Sequence, residues 1–119
     1  MMTVGRGVLA VCLGLTAGMA QAQDWTGLTG AEVRAVLSDR TLYYAASWQV
    51  FQADGATLYH AGYDGGAESW GQWEARGDQY CSLWPPGDGW ACYDVSQSAD
   101  GTRVRFTGPG DVTIGTFRD

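Results

Sequence analysis

The chain has 119 residues, of which 45% are apolar and 13% aromatic, and its formal net charge is −6. That is room for one small domain with a packed core; the chain is too aromatic for wholesale disorder and too acidic to favour nucleic acid or an anionic membrane surface. All seven cations are arginine, which reads as the habit of a genome rich in G and C, with no function attached.

Residues 1–22 read as a secretory signal peptide. Arg6 supplies the positive start, Val8 to Leu15 form a short apolar run, and Ala20-Gln21-Ala22 fits the A-x-A cleavage rule. The run is too short for a bilayer span, which takes about 20 residues. Cys12 lies inside it, too early for a lipobox. Cleavage after Ala22 would leave residues 23–119 as one small β-barrel-like domain with two cysteines, Cys81 and Cys92. The expected location is periplasmic or secreted, with no transmembrane segment after cleavage.

Asp24 to Ser38 holds the one helix expected. Thr29 and Glu32 form a capping-box pair, and Val33, Val36 and Leu37 then make one apolar stripe. The spacing predicts a short helix that plugs or covers the core, with Trp25 and Leu28 packing back on it.

From residue 40 the period becomes two. Strands are predicted at Thr41–Tyr44, Ser47–Ala53, Thr57–Ala61, Glu68–Ala75, Gln79–Trp84, Trp90–Ser96, Thr102–Thr107 and Asp111–Phe117, separated by Gly/Asp/Pro turns. There is no room for crossover helices. The expected fold is all-β: an antiparallel meander of about eight strands, closed or partly closed into a small barrel, with a two-sheet sandwich as the alternative. A two-residue turn at Asp54-Gly55 would pair Phe51 with Leu58, Gln49 with His60, Val50 with Tyr59 and Trp48 with Ala61. The face carrying Trp48, Val50 and Tyr59 is the expected core face, with His60 pointing away.

Cys81 and Cys92 fall opposite one another in a hairpin centred on Pro86 and Gly87, which also pairs Leu83 with Trp90 and Gln79 with Asp94. A structural disulfide follows; a redox role would want a close C-x-x-C pair. The hairpin tip, Trp84-Pro85-Pro86-Gly87-Asp88-Gly89-Trp90, offers two tryptophans either to a ligand or partner or to packing across the hairpin. Trp70 and Trp73, three apart, face opposite sides of their strand, one in the core and one half exposed; Gly71 between them marks a bulge or a bend. Six tryptophans predict a filled, compact interior. Trp84, Trp90, Trp70, Trp73 and His60 are the candidate binding residues.

No catalytic constellation is read. His60 is the sole histidine, no serine has a nucleophile context, and the acid pairs Asp64/Glu68 and Glu74/Asp78 sit in or beside turns. One histidine and two paired cysteines do not make a zinc site, and no turn matches a calcium loop. The expectation is a non-catalytic domain with no cofactor.

The run Gly71-Gln72-Trp73, then Gly77-Asp78-Gln79-Tyr80-Cys81, Trp84 and Cys92, resembles small secreted proteobacterial families of unknown function. In these a G-x-W strand leads into a cysteine hairpin. The resemblance implies an all-β secreted domain and carries over no catalytic residue. Two functional readings stand: a module that binds another periplasmic or envelope protein, and a small barrel that binds an apolar or aromatic ligand in its mouth.

Overall fold

The computed structural model describes residues 24–119, so the expected signal peptide lies outside the described residues. The chain forms β1 (Trp25–Gly27), α1 (Gly30–Leu37), β2 (Arg40–Tyr43), β3 (Trp48–Phe51), β4 (Ala56–His60), β5 (Glu68–Arg76), β6 (Gln79–Leu83), β7 (Trp90–Ser98), β8 (Arg103–Thr107) and β9 (Val112–Thr116). Strands β2 to β9 pair antiparallel in sequence order, and β9 returns to β2, closing an eight-stranded barrel. The sandwich alternative is not formed. The β9–β2 closure rests on one register pair, Thr116 with Tyr43.

The helix forms where its cap residues stand. Thr29 Oγ1 accepts from the Glu32 N–H, and the Glu32 carboxylate accepts from the Thr29 N–H. Val33 and Leu37 are fully buried and Val36 packs beside them, so α1 plugs one end of the barrel. The Gly30 N–H donates to Asp78 in the β5–β6 turn at 2.9 Å, fastening the helix to the barrel rim. Trp25 does not lead into the helix. Trp25–Gly27 is instead a short strand that pairs with Gln97 and its neighbours on β7, beyond the end of β6.

The cysteine hairpin has the expected register: Cys81 faces Cys92, Leu83 faces Trp90 and Gln79 faces Asp94. The Cys81–Cys92 disulfide is present, on the outer wall, with Cys81 fully buried.

The β3–β4 hairpin is shifted by one residue from the sequence expectation. Trp48 pairs with His60, Gln49 with Tyr59, Val50 with Leu58 and Phe51 with Thr57. The turn takes three residues, not two. The Gln52 N–H donates to Ala56 O, the Gly55 N–H to Gln52 O, and Gly55 has φ +98°. This is a turn followed by a left-handed residue, which glycine adopts without a Cβ clash. A one-residue slip exchanges the two faces of a strand. Gln49, Phe51, Thr57 and Tyr59 therefore point inward, and Trp48, Val50, Leu58 and His60 point outward; the expected core face is overturned for Trp48 and Val50 on β3, while on β4 Tyr59 faces in and His60 faces away as expected.

The barrel interior is layered. Near α1, Leu42, Phe51, Trp73, Val95, Val104, Phe106 and Phe117 form the packed core with Val33 and Leu37. Tyr80 lies above them, edge-on to Phe51 at 5.8 Å between centroids and 5.0 Å from Phe106. Above Tyr80 the interior is not filled. Only Trp73 of the six tryptophans belongs to the buried core, so the expectation of a tryptophan-filled interior fails.

The arginines meet much of the aromatic surface, at Trp25, Trp90, Tyr43 and Tyr63 outside the core and at Trp73 and Phe117 on its edge. Arg103 and Arg105 lie over Trp25, Arg76 over Trp90, Arg40 over Phe117, Arg118 over Tyr43 and Tyr63, and Arg34 over Trp73. Every arginine among the described residues is stacked this way. A guanidinium plane suits such stacking better than a compact ammonium group. Six of the seven arginines thus lie over aromatic rings, a contact that composition alone did not reveal.

Candidate functional site

The open end of the barrel holds a cavity of about 470 Å³. It exists because alternate residues of seven strands and their loops turn inward, and those at this end are polar or aromatic rather than aliphatic. Gln49 of β3, Tyr59 of β4 and Ser69 of β5 form one side. Tyr80 and Ser82 of β6, Tyr93 of β7, Phe106 of β8 and Thr113 of β9 form the other. Tyr44, Ser47, Trp84 and Pro85 stand at the rim. No arginine, aspartate, glutamate or histidine is among these lining residues.

The floor is a hydrogen-bonded network around Gln49, which is 6% exposed. Thr57 Oγ1 donates to the Val50 carbonyl at 2.7 Å, so it must accept from Gln49, whose Nε2 lies at 3.0 Å. That fixes the amide: its nitrogen also donates to the Tyr80 hydroxyl at 3.1 Å, and its oxygen accepts from the Tyr44 hydroxyl at 2.8 Å. Burial pushes the Tyr44 phenol well above its ordinary 10.0, with the neighbouring Tyr80 and Tyr59 adding to the shift. Burial raises Tyr80 as well, partly offset by hydrogen bonding from Ser82 and Gln49. Both phenols are neutral at physiological pH.

Trp84 forms part of the rim. Its Nε1 donates to Ser82 Oγ at 3.1 Å, and its ring meets Tyr59 edge-on at 6.2 Å. Gly71 lies beneath it, in regular register with Thr57. It is not a bulge. It is the site where any side chain would collide with Trp84.

The other candidate residues lie elsewhere. Trp90, paired with Leu83 on the outward face, carries Arg76 over its ring at 4.2 Å. Trp84 and Trp90 thus sit on opposite faces of their hairpin and form no common patch. Trp73 is 2% exposed in the core, whereas Trp70 is 54% exposed on the outer wall. Trp70 and Trp90 flank an outer groove of about 500 Å³ around Gln72, bordered by Asp54 and Glu74. His60 is on the outer wall too, stacked on Trp48 at 4.7 Å, with Nδ1 donating to Gly62 O at 2.6 Å and Nε2 3.9 Å from Glu68. It does not reach the cavity.

Sequence reasoning singled out Trp84 but missed Gln49, Tyr80, Tyr44, Tyr59 and Tyr93. The available signal was the alternation of Gln49 and Thr57 with Phe51 and Tyr59, which the one-residue slip concealed. Among the described residues, no cluster of three or more His, Cys, Asp or Glu side chains could hold a metal ion. No helix among them is long and apolar enough to cross a membrane. Neither a protein family, a curated protein nor a solved structure matches this chain.

Proposed function

We propose that this protein is a small binding barrel that takes up one uncharged, largely flat small molecule through its open end. The observation that carries this reading is the cavity of about 470 Å³, lined by phenols, Trp84, Phe106 and neutral polar groups. Sites of this kind, concave and mostly aromatic with a few placed polar groups, suit small-molecule ligands of moderate size. A lining without cations or carboxylates disfavours charged ligands, whose desolvation it could not compensate. The role is binding rather than catalysis, and the location proposed is periplasmic or secreted, a compartment in which the Cys81–Cys92 disulfide persists.

The test is native mass spectrometry of protein purified from the compartment, beside a denatured sample. A neutral species of small mass, released on denaturation and displaced by added flat aromatic compounds, supports the reading. A bare chain that also binds none of those compounds overturns it.

A second reading, a module for another envelope protein, is favoured by one observation: the exposed Trp70 beside the outer groove. Trp70→Ala should then abolish capture of that partner while leaving cavity binding intact. Unchanged capture would remove this reading.

A further inference from the structure

The outer groove between Trp70 and Trp90 carries a grouping that is complete on one side and lacks one member on the other. On the Trp90 side an indole, a carboxylate and a guanidinium stand together: Arg76 lies over the Trp90 ring at 4.2 Å, and its Nε donates to Glu74. On the Trp70 side stand an indole and a carboxylate. Trp70 is 54% exposed, and it is the one tryptophan of the six that is exposed rather than buried or half-buried. Asp54 borders the same groove, and its Oδ1 accepts from the Ala56 N–H at 2.9 Å, which holds the carboxylate in place. Each arginine among the described residues already lies over another ring of its own chain. Arg76, the cation beside the groove, is engaged by Glu74 and Trp90. The chain carries −6 overall, so its field draws cations to this wall and repels anions.

We infer that this groove is a docking site for an arginine side chain presented by another protein, with the guanidinium laid on Trp70 and its charge facing Asp54. The inference rests on the second reading above and gives that partner its chemistry: a basic, arginine-bearing segment. Arginine is favoured over lysine because a planar, weakly hydrated guanidinium matches an indole face, as it does at Trp25 and Trp90. A second copy of this chain fits less well, because its described arginines are already laid on its own rings.

The probes are three short peptides, capped at both ends, with a single arginine, lysine or citrulline between glycines. Citrulline keeps the planar end of arginine without its charge. Each is titrated into isotope-labelled protein to about 10 mM, the range that one exposed cation–π contact and one screened ion pair call for. The indole N–H signals are followed, and that of Trp70 is identified by its loss in Trp70→Phe. The arginine peptide should move the Trp70 signal and bind about threefold more tightly than the lysine peptide, and the citrulline peptide should leave the signal in place. Asp54→Asn, which keeps an acceptor for the Ala56 N–H, should weaken the arginine peptide about threefold at low salt. The inference is overturned if citrulline moves the Trp70 signal as far as arginine does, if no peptide moves it, or if only other indoles respond. A Trp70 signal that shifts on dilution of the protein alone would give the groove to a second copy and also overturn it. If the peptides are silent while Trp70→Ala still abolishes partner capture, the arginine assignment falls and the second reading stands. If Trp70→Ala leaves capture unchanged, the second reading falls and this inference falls with it.

Discussion

Trp84 rests against Gly71 so closely that a methyl group at position 71 would stand 2.7 Å from Trp84 Cε3 and 2.6 Å from the Leu83 carbonyl oxygen. The backbone oxygen cannot yield without disturbing the β5–β6 pairing. Gly71→Ala should therefore cost about 1–3 kcal/mol in urea unfolding, the range of overpacking substitutions. It should also displace Trp84 from the rim and weaken ligand uptake. A variant as stable as the wild type, with an unchanged near-ultraviolet spectrum, would show that the seat is not as tight as described.

Gln49 connects three hydroxyl groups inside the barrel. Gln49→Leu preserves volume but leaves the Tyr44 proton without an acceptor and removes a donor from Thr57 and Tyr80. The expected loss is about 2 kcal/mol or more, because buried polar groups without partners are expensive. A shift of the denaturant midpoint too small to distinguish from that of a surface substitution would mean that water replaces the amide.

The Cys81–Cys92 disulfide joins directly opposed residues separated by 11 positions. Cross-linking a loop of this size restricts the unfolded chain by roughly 3 kcal/mol in the chain-entropy account. Replacing both cysteines with alanine should lower stability by about that amount while the far-ultraviolet spectrum stays that of the barrel. Loss of less than about 1 kcal/mol would place the stability of this hairpin elsewhere, in the Leu83–Trp90 and Gln79–Asp94 pairs.

Asp100 caps the β7–β8 turn. Its carboxylate accepts from the Thr102 N–H and from the Ser98 and Thr102 hydroxyls, and these bonds lower its pKa from 3.8 to about 2. A carboxyl held below its unfolded value binds fewer protons in the folded state, so stability rises with pH between about 2 and 4 and is then constant. Equivalently, the contribution is lost as pH falls through the folded pKa. Urea midpoints at pH 2, 3 and 5 should show this slope in the wild type and a shallower one in Asp100→Asn. Identical slopes would remove Asp100 from the acid response.

Much of the fold was legible because local chemistry and global topology agree. Thr29 and Glu32 marked the helix start, and the paired cysteines fixed the β6–β7 register residue by residue. The meander followed from turn spacing. The β3–β4 face was misread for a physical reason. Sequence reasoning assigns the more apolar face to the core, but this barrel keeps a polar cavity inside and an aromatic coat outside. Trp48 and Val50 therefore face outward, and Gln49 and Thr57 are buried. The same inversion hid the candidate site, since Gln49 is recognisable as an inward residue only once the β3–β4 register is known. It also explains why counting tryptophans overestimated the filling of the interior.

The closure between β2 and β9 is held differently from the other strand pairs. One register pair joins the backbones, and the rest is side-chain contact: Arg40 over Phe117 at 3.6 Å, Arg118 over Tyr43 at 3.9 Å and Arg40 to Asp119 at 2.8 Å. Exposed charge contacts weaken as ionic strength rises, whereas backbone ladders do not. The β2–β9 seam therefore has the fewest paired backbone groups of the ring, and amide hydrogens of Thr116 and Tyr43 should exchange faster than those of Val95 and Val104, a difference that hydrogen exchange would measure. Tyr44 and Thr113, beside the two strands that meet at this seam, both line the cavity.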